Sequence, residues 1–514
     1  MKEKEMLTPL ATSHKLFAAF ERNNILYCHW KSNEHLLEGL AGDTDLDVLV
    51  SENDSDKASV LLSECGYKKA IIQFGSRYPK VEEWIGFDEE TGRLIHIHLH
   101  YEIVTGMKHQ KDYVLPWADR VLSQRVLNSQ YQVYTASKEL ELILLKTRNV
   151  LKMPYSKRIK LALGQGVNPS GDYSSELDYL LQDADKEKVL SAANELYGDS
   201  TLHAYWLSDH YDNKELKTAA HRIRKKLAPY RRYPEIVVAI KYLYFRIAFA
   251  VKKILNKLRI DKPVYRKELR KPGLLIAFIG PDGCGKSTVT SEVEKWLTWK
   301  IEASRFYLGS GDHFNSIGKR LLSLLKKTDS RVGASAKSGN AGKGQVQIKP
   351  AEGKKVPLKK HLGHIYDSFY LISIAKHCLR ELVRADRYRK KGGIALLDRF
   401  PQTQFEGIND GPKIACKYGE LHNTLFFRFM AKLEYSIFRR ISQIQPDVVI
   451  KLMVSPEESI RRKPDHNYEE VSRKSEVVKN LLFSNSSVYT VDTEQAFGSE
   501  LKQIKKIIWD ELNK

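Results

Sequence analysis

The nine residues Gly280-Pro-Asp-Gly-Cys-Gly-Lys-Ser-Thr288 constrain the fold of this chain more than any other stretch. A short apolar run, 274–279, precedes them and a helical pattern follows, so the motif G-x-x-x-x-G-K-[ST] stands between a strand and a helix, the context of a phosphate-binding P-loop. Its glycines let backbone N–H groups face an anion, and the helix N-terminus adds its dipole. The glycine order excludes the G-x-G-x-x-G loop of dinucleotide-binding domains. The sequence therefore predicts a site for a nucleoside triphosphate.

Individual residues of this loop have expected roles. Lys286 is expected to reach the β- and γ-phosphates, and Ser287 to offer its hydroxyl to Mg²⁺. The predicted cofactors are therefore ATP and Mg²⁺. The predicted nucleotide-binding residues are Gly280, Asp282, Gly283, Gly285, Lys286, Ser287 and Thr288.

The length and the net charge of the chain limit its domain organisation and its partners. With 514 residues it is too long for one hydrophobic core, and roughly three domains are expected. We place them at 1–135, 136–271 and 272–514. The formal net charge of +21 favours an anionic partner such as lipid headgroups, nucleic acid or a polyanionic glycan. The sequence has no motif for sequence-specific binding of nucleic acid.

Cysteine usage and hydropathy predict the compartment. The five cysteines are scattered without a C-x-x-C pair, which is typical of a reducing compartment. The first residues lack the apolar core of a signal peptide, and no stretch of 18 residues is apolar and uncharged. We expect a cytoplasmic protein, with peripheral attachment to the inner face of the membrane as an option.

Acidic residues alternate along an apolar segment of the first third, Gly42-Asp-Thr-Asp-Leu-Asp-Val-Leu-Val50. Because side chains in a strand repeat every second residue, Asp45 and Asp47 share one face. Paired carboxylates on a buried strand are unfavourable unless a cation offsets their desolvation, which indicates a two-metal site for nucleotidyl transfer, with Asp45 and Asp47 as Mg²⁺ ligands. With a short turn and a helix before this strand, the pattern resembles the nucleotidyltransferase superfamily over about residues 10–130.

The chain differs from that superfamily pattern in its turn and in its third acid. The usual Gly-Ser turn is Lys31-Ser-Asn33, and a later strand has His96, His98 and His100 where an acid is expected. These histidines share one face and are candidate metal ligands or general bases. The alternative is a domain that has lost catalysis, keeps the fold and still binds a nucleotide or phosphosugar.

A basic amphipathic stretch, 231–259, follows a helical region that begins near residue 136. At about 100° per residue its cations fall on one half of the helical wheel, opposite an apolar half rich in Tyr and Phe. This pattern is typical of a helix lying on an anionic membrane surface. The interpretation that we favour is an interdomain helix with its apolar side in an ordinary core and its basic side in solvent, because amphipathic helices are more often core elements. The cations are Lys241, Arg246, Lys252, Lys253 and Lys257.

The last predicted domain contains further segments that suit a kinase. A stretch without aromatic residues, 328–358, predicts a disordered basic insertion. A buried strand at 393–397 delivers Asp398 to order Mg²⁺ and Arg399 to hold a phosphate. A further strand, 448–454, leads to the basic cluster Arg461 and Arg462. These arginines suit a lid that brings positive charge onto the transferring phosphoryl group.

Together these segments resemble the thymidylate kinases. The acid at Asp282 within the P-loop, the triplet Asp398-Arg-Phe400 and the segment Ser455-Pro-Glu-Glu-Ser-Ile-Arg-Arg-Lys463 are similar to motifs of that family. The resemblance implies that Asp282 binds a sugar hydroxyl of the acceptor and Arg399 its phosphate. It also implies that Arg461 and Arg462 are the lid arginines.

The combined prediction is an α/β protein with three parts. A C-terminal P-loop parallel sheet with helices on both faces follows a helical middle and an N-terminal α+β nucleotidyltransferase-like domain. The predicted reaction is ATP- and Mg²⁺-dependent phosphoryl transfer to a phosphorylated acceptor, a nucleoside monophosphate as in the thymidylate kinases, with Lys286, Arg399, Arg461 and Arg462 as catalytic residues. Two alternatives stay open. One is a kinase of the same fold acting on a sugar or glycan phosphate in envelope polysaccharide synthesis, and the other is a non-catalytic nucleotide-binding switch.

Overall fold

A computed structural model describes residues 7–72, 78–167, 171–209, 213–258, 262–309, 358–417, 424–465 and 467–513. Apart from its last residue, the predicted disordered insertion, 328–358, lies outside the described residues. So does most of the Gly-rich segment that follows the second strand of the P-loop domain.

The first part of the chain forms a mixed β-sheet whose strands carry alternating or fully buried apolar side chains. Its strands are β1 (Tyr27–His29), β2 (Asp45–Val50), β3 (Lys68–Ile72), β4 (Val81–Asp88), β5 (Arg93–His100), β8 (Val126–Asn128) and β9 (Val133–Thr135), and a small separate sheet contains β6 (Ile103–Thr105) and β7 (Tyr113–Leu115). One more strand, β10 (Lys267–Glu268), comes from far along the chain.

The order of the large sheet is β10-β3-β4-β5-β2-β1-β9-β8. Strand β2 is parallel to β5, with Asp45 opposite His96 and Asp47 opposite His98. Strand β4 is antiparallel to β5, with Glu83 opposite His98. One face of three neighbouring strands therefore carries acids and histidines in a single row.

Short helices cover the other face of this sheet. Phe17, Phe20 and Tyr27 form a ring cluster in the core beneath them, with centroids 5.3–6.3 Å apart. Burial of these rings holds the first helix in place, and Asp88 of β4 accepts the backbone N–H of Thr12 in its first turn at 3.1 Å, since Leu10 at the N-cap makes no side-chain hydrogen bond. These helices are α1 (Ala11–Arg22), α2 (Leu36–Leu40) and α3 (Ser55–Glu64). A further helix, α4 (Ala118–Ser123), packs with Leu49 of β2, on the same face of the sheet as Asp47.

The middle of the chain is helical, as predicted. Ser137 and Asp185 cap two of its helices by accepting backbone N–H groups. Trp206 and Tyr197 are fully buried in the core that these helices share with β1 and β7. The helices are α5 (Lys138–Lys152), α6 (Tyr155–Ala162), α7 (Gly171–Asp183), α8 (Lys186–Tyr197), α9 (His203–Leu207), α10 (Asn213–Leu227) and α11 (Glu235–Lys257).

The last part is a parallel sheet in the order β12-β13-β11-β14-β15. Its strands follow the apolar runs of the sequence closely, because a strand covered on both faces is apolar throughout. They are β11 (Leu275–Ile279), β12 (Ala303–Tyr307), β13 (Ile394–Asp398), β14 (Val448–Met453) and β15 (Ser487–Asp492).

Helices lie on both faces of this sheet, so neighbouring strand residues enter different cores. Leu275 packs in one core with the helices Leu358–Lys390 and Leu425–Ile441, and Ile276 packs in the other with the helices Lys286–Leu297 and Phe497–Glu511. The predicted fold class is thereby confirmed. The helices are α12 (Lys286–Leu297), α13 (Leu358–Lys390), α14 (Ile414–Lys417), α15 (Leu425–Ile441), α16 (Pro456–Arg462), α17 (Tyr468–Asn480) and α18 (Phe497–Glu511).

The two sheets share a hydrophobic core. The ring of Phe87, from β4, lies 5.8 Å from that of Trp296 on α12 and 5.7 Å from that of Trp509 on α18. The predicted divisions at residues 135 and 271 stay predictions, and β10 lies inside the predicted middle segment although it extends the first sheet.

Helix α11 corrects one interpretation of the sequence. Val238 is its one buried residue, and its aliphatic side is exposed, so the helix is not an ordinary core element. The aromatic side chains also differ from the prediction, because Phe245 and Phe249 lie against His109 on the side facing the protein. Among the described residues, no helix is long and apolar enough to cross a membrane.

Candidate functional site

The P-loop joins β11 to α12 as predicted, and its glycines meet conformational demands. Gly283 and Gly285 have φ of 83° and 85°, in the left-handed region that glycine tolerates. A Cβ at Gly280 would lie 2.5 Å from the backbone oxygen of Leu452. The loop can therefore keep this tight path beside β14 only with glycine at these positions.

Lys286 lies at the centre of the loop, with 8% of its surface exposed. Its Nζ donates to the backbone oxygens of Gly280 at 2.8 Å and Pro281 at 2.6 Å. The loop itself thus holds the ammonium group near the N-terminus of α12. Ser287 and Thr288 follow in the first turn of that helix and are exposed.

Asp398 ends β13, next to Phe278 of β11. It is 2% exposed, and its Oδ1 has no hydrogen-bond partner among the described residues. A buried carboxylate oxygen without a partner is costly unless a cation satisfies it. Asp398 and the Ser287 hydroxyl are oxygen donors of the kind that Mg²⁺ prefers, so the residues present fit this ion.

Arg399 follows with a φ of 76°, unusual for a residue with a side chain. Its guanidinium lies 3.7 Å from Asp282 and 3.5 Å from Asp410. Burial opposes the charge, but the carboxylates of Asp410 and Asp282 outweigh it and raise the pKa of Arg399. Backbone strain of this kind concentrates at functional sites, because the surrounding fold must support it.

Arg399 and Lys286 face a cavity of about 230 Å³ at the carboxyl ends of the strands. Sequence reasoning missed Lys474, which contributes a further cation and donates to Asp282 at 2.7 Å. Its only local signal is the spacing to Glu470 on the same helix, which many exposed helices share. The cavity is lined by Ile279, Gly280, Asp282, Lys286, Arg399, Phe400, Asn409, Asp410, Lys413, Lys474, Val478 and Leu481.

The predicted lid arginines lie next to this cavity without lining it. Arg461 is paired with Glu458 of its own helix and is 77% exposed. Arg462 contacts Glu458 too, and donates to the backbone oxygen of Thr493 at 2.6 Å. Their helix α16 nevertheless touches the P-loop, because the Ser459 hydroxyl donates to the backbone oxygen of Asp282 at 2.6 Å.

The second candidate site is the row of acids and histidines on the N-terminal sheet. Asp45 Oδ1 lies 2.7 Å from His96 Nδ1, and Asp47 Oδ1 lies 3.1 Å from His98 Nδ1. His100 Nε2 is 3.3 Å from the same oxygen of Asp47. The predicted shared face of Asp45 and Asp47 is therefore present, with histidines beside both acids.

The row also contains a third acid, Glu83, which sequence reasoning did not find. Its Oε2 is 2.8 Å from His96 Nε2 and 3.0 Å from His98 Nε2. Glu83 comes from β4, the antiparallel neighbour of the histidine strand. The pair Glu82-Glu83 in a strand pattern was a signal, but only the strand register shows that Glu83 faces the histidines.

Each acid of the row is paired with a lysine. Lys31 Nζ lies 2.7 Å from Asp47, and Lys267 Nζ lies 3.5 Å from Glu83. Lys300 pairs with Asp45. Two of these lysines, 267 and 300, come from the segments that flank the first strand and helix of the P-loop domain.

Further cations gather beside Asp47. Arg148 is 8% exposed, and its positive charge is the main reason that the pKa of Lys152 falls well below its usual value. Burial, together with the charge of Lys31, lowers the pKa of Lys111 to about 8. A bound anion would offset the mutual repulsion of these cations.

The ligand atoms of the row are close enough for a metal ion. Asp45, His96 and His98 form one group, and Asp47, His98 and His100 another, with ligand atoms within 4.8 Å of one another. Burial lowers the pKa of His100 to about 3, so its imidazole is neutral at pH 7. The lysines on Asp45 and Asp47, however, already supply the positive charge that a metal would bring.

Comparisons with known proteins find relatives for about half of the chain. The uncharacterized ATP-binding protein YghR of Escherichia coli K12 is 29% identical over 240 residues, which are 46% of this chain and 87% of that protein. The uncharacterized ATP-binding protein YghS of the same strain is 26% identical over 228 residues, 43% of this chain and 86% of that protein. A structure of deoxyadenosine kinase from M. mycoides with bound dATP aligns with 46% of this chain and 99% of that one at 15% identity and a TM-score of 0.26. No family model matches the chain.

Proposed function

We propose that the P-loop half of this protein transfers the γ-phosphoryl group of ATP to a small phosphorylated acceptor, with a nucleoside monophosphate as the first choice. The observation that carries this proposal is the cavity lined by Lys286 of the P-loop together with Arg399 and Lys474. Several cations that line one confined space suit two phosphate groups held end to end. The relatives named as ATP-binding proteins support ATP as the donor.

The chain's own residues have distinct tasks in this reaction. The P-loop N–H groups and Lys286 hold the β- and γ-phosphates, and Arg399 holds the acceptor phosphate. An oxygen of that phosphate attacks the γ-phosphorus, the bond from the γ-phosphorus to the bridging oxygen breaks, and ADP leaves. The acceptor oxygen is already ionised near pH 7, so alignment and charge neutralisation suffice without a strong general base. Mg²⁺, held by Asp398 and Ser287, would neutralise charge on the β- and γ-phosphates.

The cavity is small for a ligand site. Its volume of about 230 Å³ suits the reacting phosphate groups rather than a whole acceptor. Asp282 is paired with Lys474 at 2.7 Å, so its carboxylate can accept a sugar hydroxyl without standing as an uncompensated charge. Nucleoside monophosphates and simple sugar phosphates both meet these conditions, and thymidylate is the acceptor that the resemblance to thymidylate kinases favours.

The test is ATP turnover by the full chain with a panel of acceptors. We expect ADP formation that depends on one class of monophosphate, and loss of that dependence in Arg399→Ala. Turnover with sugar phosphates alone would assign the reaction to the sugar-phosphate alternative. Binding of ATP without turnover on any acceptor would favour the nucleotide switch.

We further propose that the N-terminal domain, which resembles nucleotidyltransferases, binds a phosphorylated ligand beside Asp47. The supporting observation is the group of cations Lys31, Lys111 and Lys152 around Arg148. Burial and the repulsion between these cations lower the pKa of the three lysines, although Lys31 is paired with Asp47 and Arg148 lies 4.0 Å from Glu176. In a Lys286→Ala background, which removes the P-loop contribution, pyrophosphate should bind to the full chain and Arg148→Gln should weaken it. Equal binding by Arg148→Gln and by Lys188→Gln, an exposed control on α8, would contradict this proposal.

A further inference from the structure

Helix α11 exposes one continuous aliphatic face. Its 23 residues span about 34 Å, at 1.5 Å per residue. Large side chains along it are exposed between 49% for Val251 and 70% for Ile236. At about 100° per residue they occupy an arc of roughly 100°. They are Ile236, Ile240, Leu243, Tyr244, Ile247, Val251, Ile254 and, just past the helix, Leu258.

The opposite face of the helix holds it to the protein. Phe245 and Phe249 lie 6.2 and 5.5 Å from the ring of His109. Phe249 also stacks on Tyr265 at 5.7 Å, and Val238 is fully buried. The aliphatic face is therefore presented outward by a helix that is fixed on its other side.

Basic side chains border this face. Arg246, Lys253 and Lys257 are exposed and lie along one edge of it. Lys241 and Lys252 lie along the other edge, near the rings of Tyr233 and Tyr265. Against these five cations the helix has a single acid, Glu235, at its first residue. An apolar stripe between two basic edges is complementary to acyl chains beneath anionic headgroups.

We propose that α11 lies in the interface of an anionic lipid bilayer, with its aliphatic face toward the acyl chains and its basic edges among the headgroups. The contact does not depend on the reaction proposed above. It would fix the protein on the membrane surface without crossing it.

The charges disfavour other occupants of this face. A second copy docked through the same face would bring two sets of basic edges together, which is repulsive. The segment 310–357 of this chain has ten lysines and arginines against three acidic residues, so the basic edges repel it too. An anionic bilayer supplies the missing negative charge.

The experiment measures co-sedimentation of the full chain with sucrose-loaded vesicles of phosphatidylcholine, with and without about 30% phosphatidylserine. We expect the anionic vesicles to retain the protein at low salt and to release most of it near 0.5 M salt, where the Debye length is only about 4 Å. The triple variant Ile240→Gln, Leu243→Gln, Ile247→Gln should lower partitioning at least about tenfold. Arg246→Glu, Lys253→Glu, Lys257→Glu should abolish the preference for phosphatidylserine.

A matched variant controls for the general loss of exposed apolar groups. Leu425, Phe429 and Leu482 are exposed by 86%, 63% and 75% on the P-loop half, and their replacement by Gln should leave partitioning unchanged. Because all substituted residues are exposed, the melting temperatures of the variants should stay close to that of the unaltered protein.

Several results would overturn the proposal. One is an unaltered chain that stays in the supernatant with anionic vesicles, and another is equal partitioning by the two triple Gln variants. A dimer in sedimentation velocity that the α11 variant dissociates, without vesicle binding, would assign the face to a second copy. Vesicle binding that appears only after deletion of 310–357 would assign the aliphatic face to that segment of the chain.

Discussion

The P-loop cavity and the acid–histidine row both have carboxylates on strands, but the negative charge of these carboxylates is compensated differently. The acid–histidine row consists of Asp45, Asp47, Glu83, His96, His98 and His100. In the P-loop half, Asp398 keeps a buried oxygen without a partner among the described residues. In the row, each acid is paired with a lysine and one or more histidines.

The difference separates a site that needs a ligand from a region that is already neutralised. A buried carboxylate oxygen without a partner is stabilised when a cation binds it. A carboxylate already bound by lysine loses that contact when a metal displaces it, so the net gain is smaller. We therefore expect metal-dependent chemistry at the P-loop and stability or anion binding at the row.

The largest expected effect is on phosphoryl transfer, and it distinguishes a lysine of the P-loop from a lysine that pairs with the acid–histidine row. Lys286→Ala should reduce phosphoryl transfer by at least about 10³-fold, because it removes charge from the transferring group. Lys31→Ala, which removes the partner of Asp47, should leave the reaction within about threefold. The measurement is ADP release with the best acceptor, and circular dichroism checks that both variants are folded. Turnover by Lys286→Ala equal to that of the unaltered protein would end the kinase proposal.

The next effect concerns metals. Asp398→Asn should weaken Mg²⁺-dependent turnover by roughly 100-fold, since it removes the charge of a ligand but hardly changes its shape. Asp45→Asn should leave Mg²⁺ dependence as it is. Titration of Mg²⁺, Mn²⁺ and Zn²⁺ by calorimetry then tests the row directly, because imidazole ligands favour Mn²⁺ or Zn²⁺. Tight Zn²⁺ binding that disappears in Asp45→Asn would show that the row is a metal site after all.

A smaller effect, on stability, tests the neutralised row. Glu83→Gln should destabilise the protein by about 2–3 kcal/mol, because Lys267 and two histidines lose a charged acceptor in a buried place. Glu82→Gln, on the same strand, should cost less than about 1 kcal/mol, since its ion-pair partner Lys69 is 53% exposed and the oxygen of Gln can still accept from Trp84 and Ser59. Thermal melting of the two variants compares them. Equal shifts would mean that the row carries no more stability than a surface ion pair.

The smallest expected effect is on the pH dependence of stability, and it compares two buried glutamates. Burial raises the pKa of Glu500, in the P-loop half, to about 7 from 4.5. The unfolded chain then ionises before the folded one, so stability falls as pH rises from 4.5 to about 7. Glu500→Gln should remove this fall and stabilise the protein at pH 8 by about 1 kcal/mol, because one carboxylate oxygen has no partner among the described residues.

Glu141, in the helical middle, provides the contrast. Burial raises its pKa to about 7 as well, but its two oxygens accept the backbone N–H and the side-chain amide of Asn33 at 2.9 and 2.7 Å. Glu141→Gln loses one of these bonds and should not stabilise the protein at pH 8. Melting temperatures of both variants at pH 5 and pH 8 test this difference. If both substitutions stabilise the protein at pH 8, the hydrogen bonds of Glu141 do not distinguish it from Glu500.

Features specified by neighbouring residues could be predicted from the sequence, whereas contacts that depend on packing could not. The P-loop was predictable because nine consecutive residues specify it, and the shared face of Asp45 and Asp47 follows from strand periodicity. Glu83 was missed because its position depends on the register between two strands. Lys300 and Lys474 were missed because nothing in their local patterns indicates the acids that they reach. The amphipathic pattern of α11 fits both a core helix and a surface helix, so only the packed structure could distinguish them.

Strand β10 has a consequence for how the chain is made. It closes the edge of the N-terminal sheet by pairing with β3, Lys267 opposite Ile72 and Glu268 opposite Ile71. During synthesis, β3 emerges from the ribosome long before β10, and its edge stays open for the time needed to translate the whole helical middle. An open edge with exposed isoleucine can recruit strands from neighbouring nascent chains. A chain truncated before residue 267 should therefore aggregate, even though it contains every other strand of that sheet.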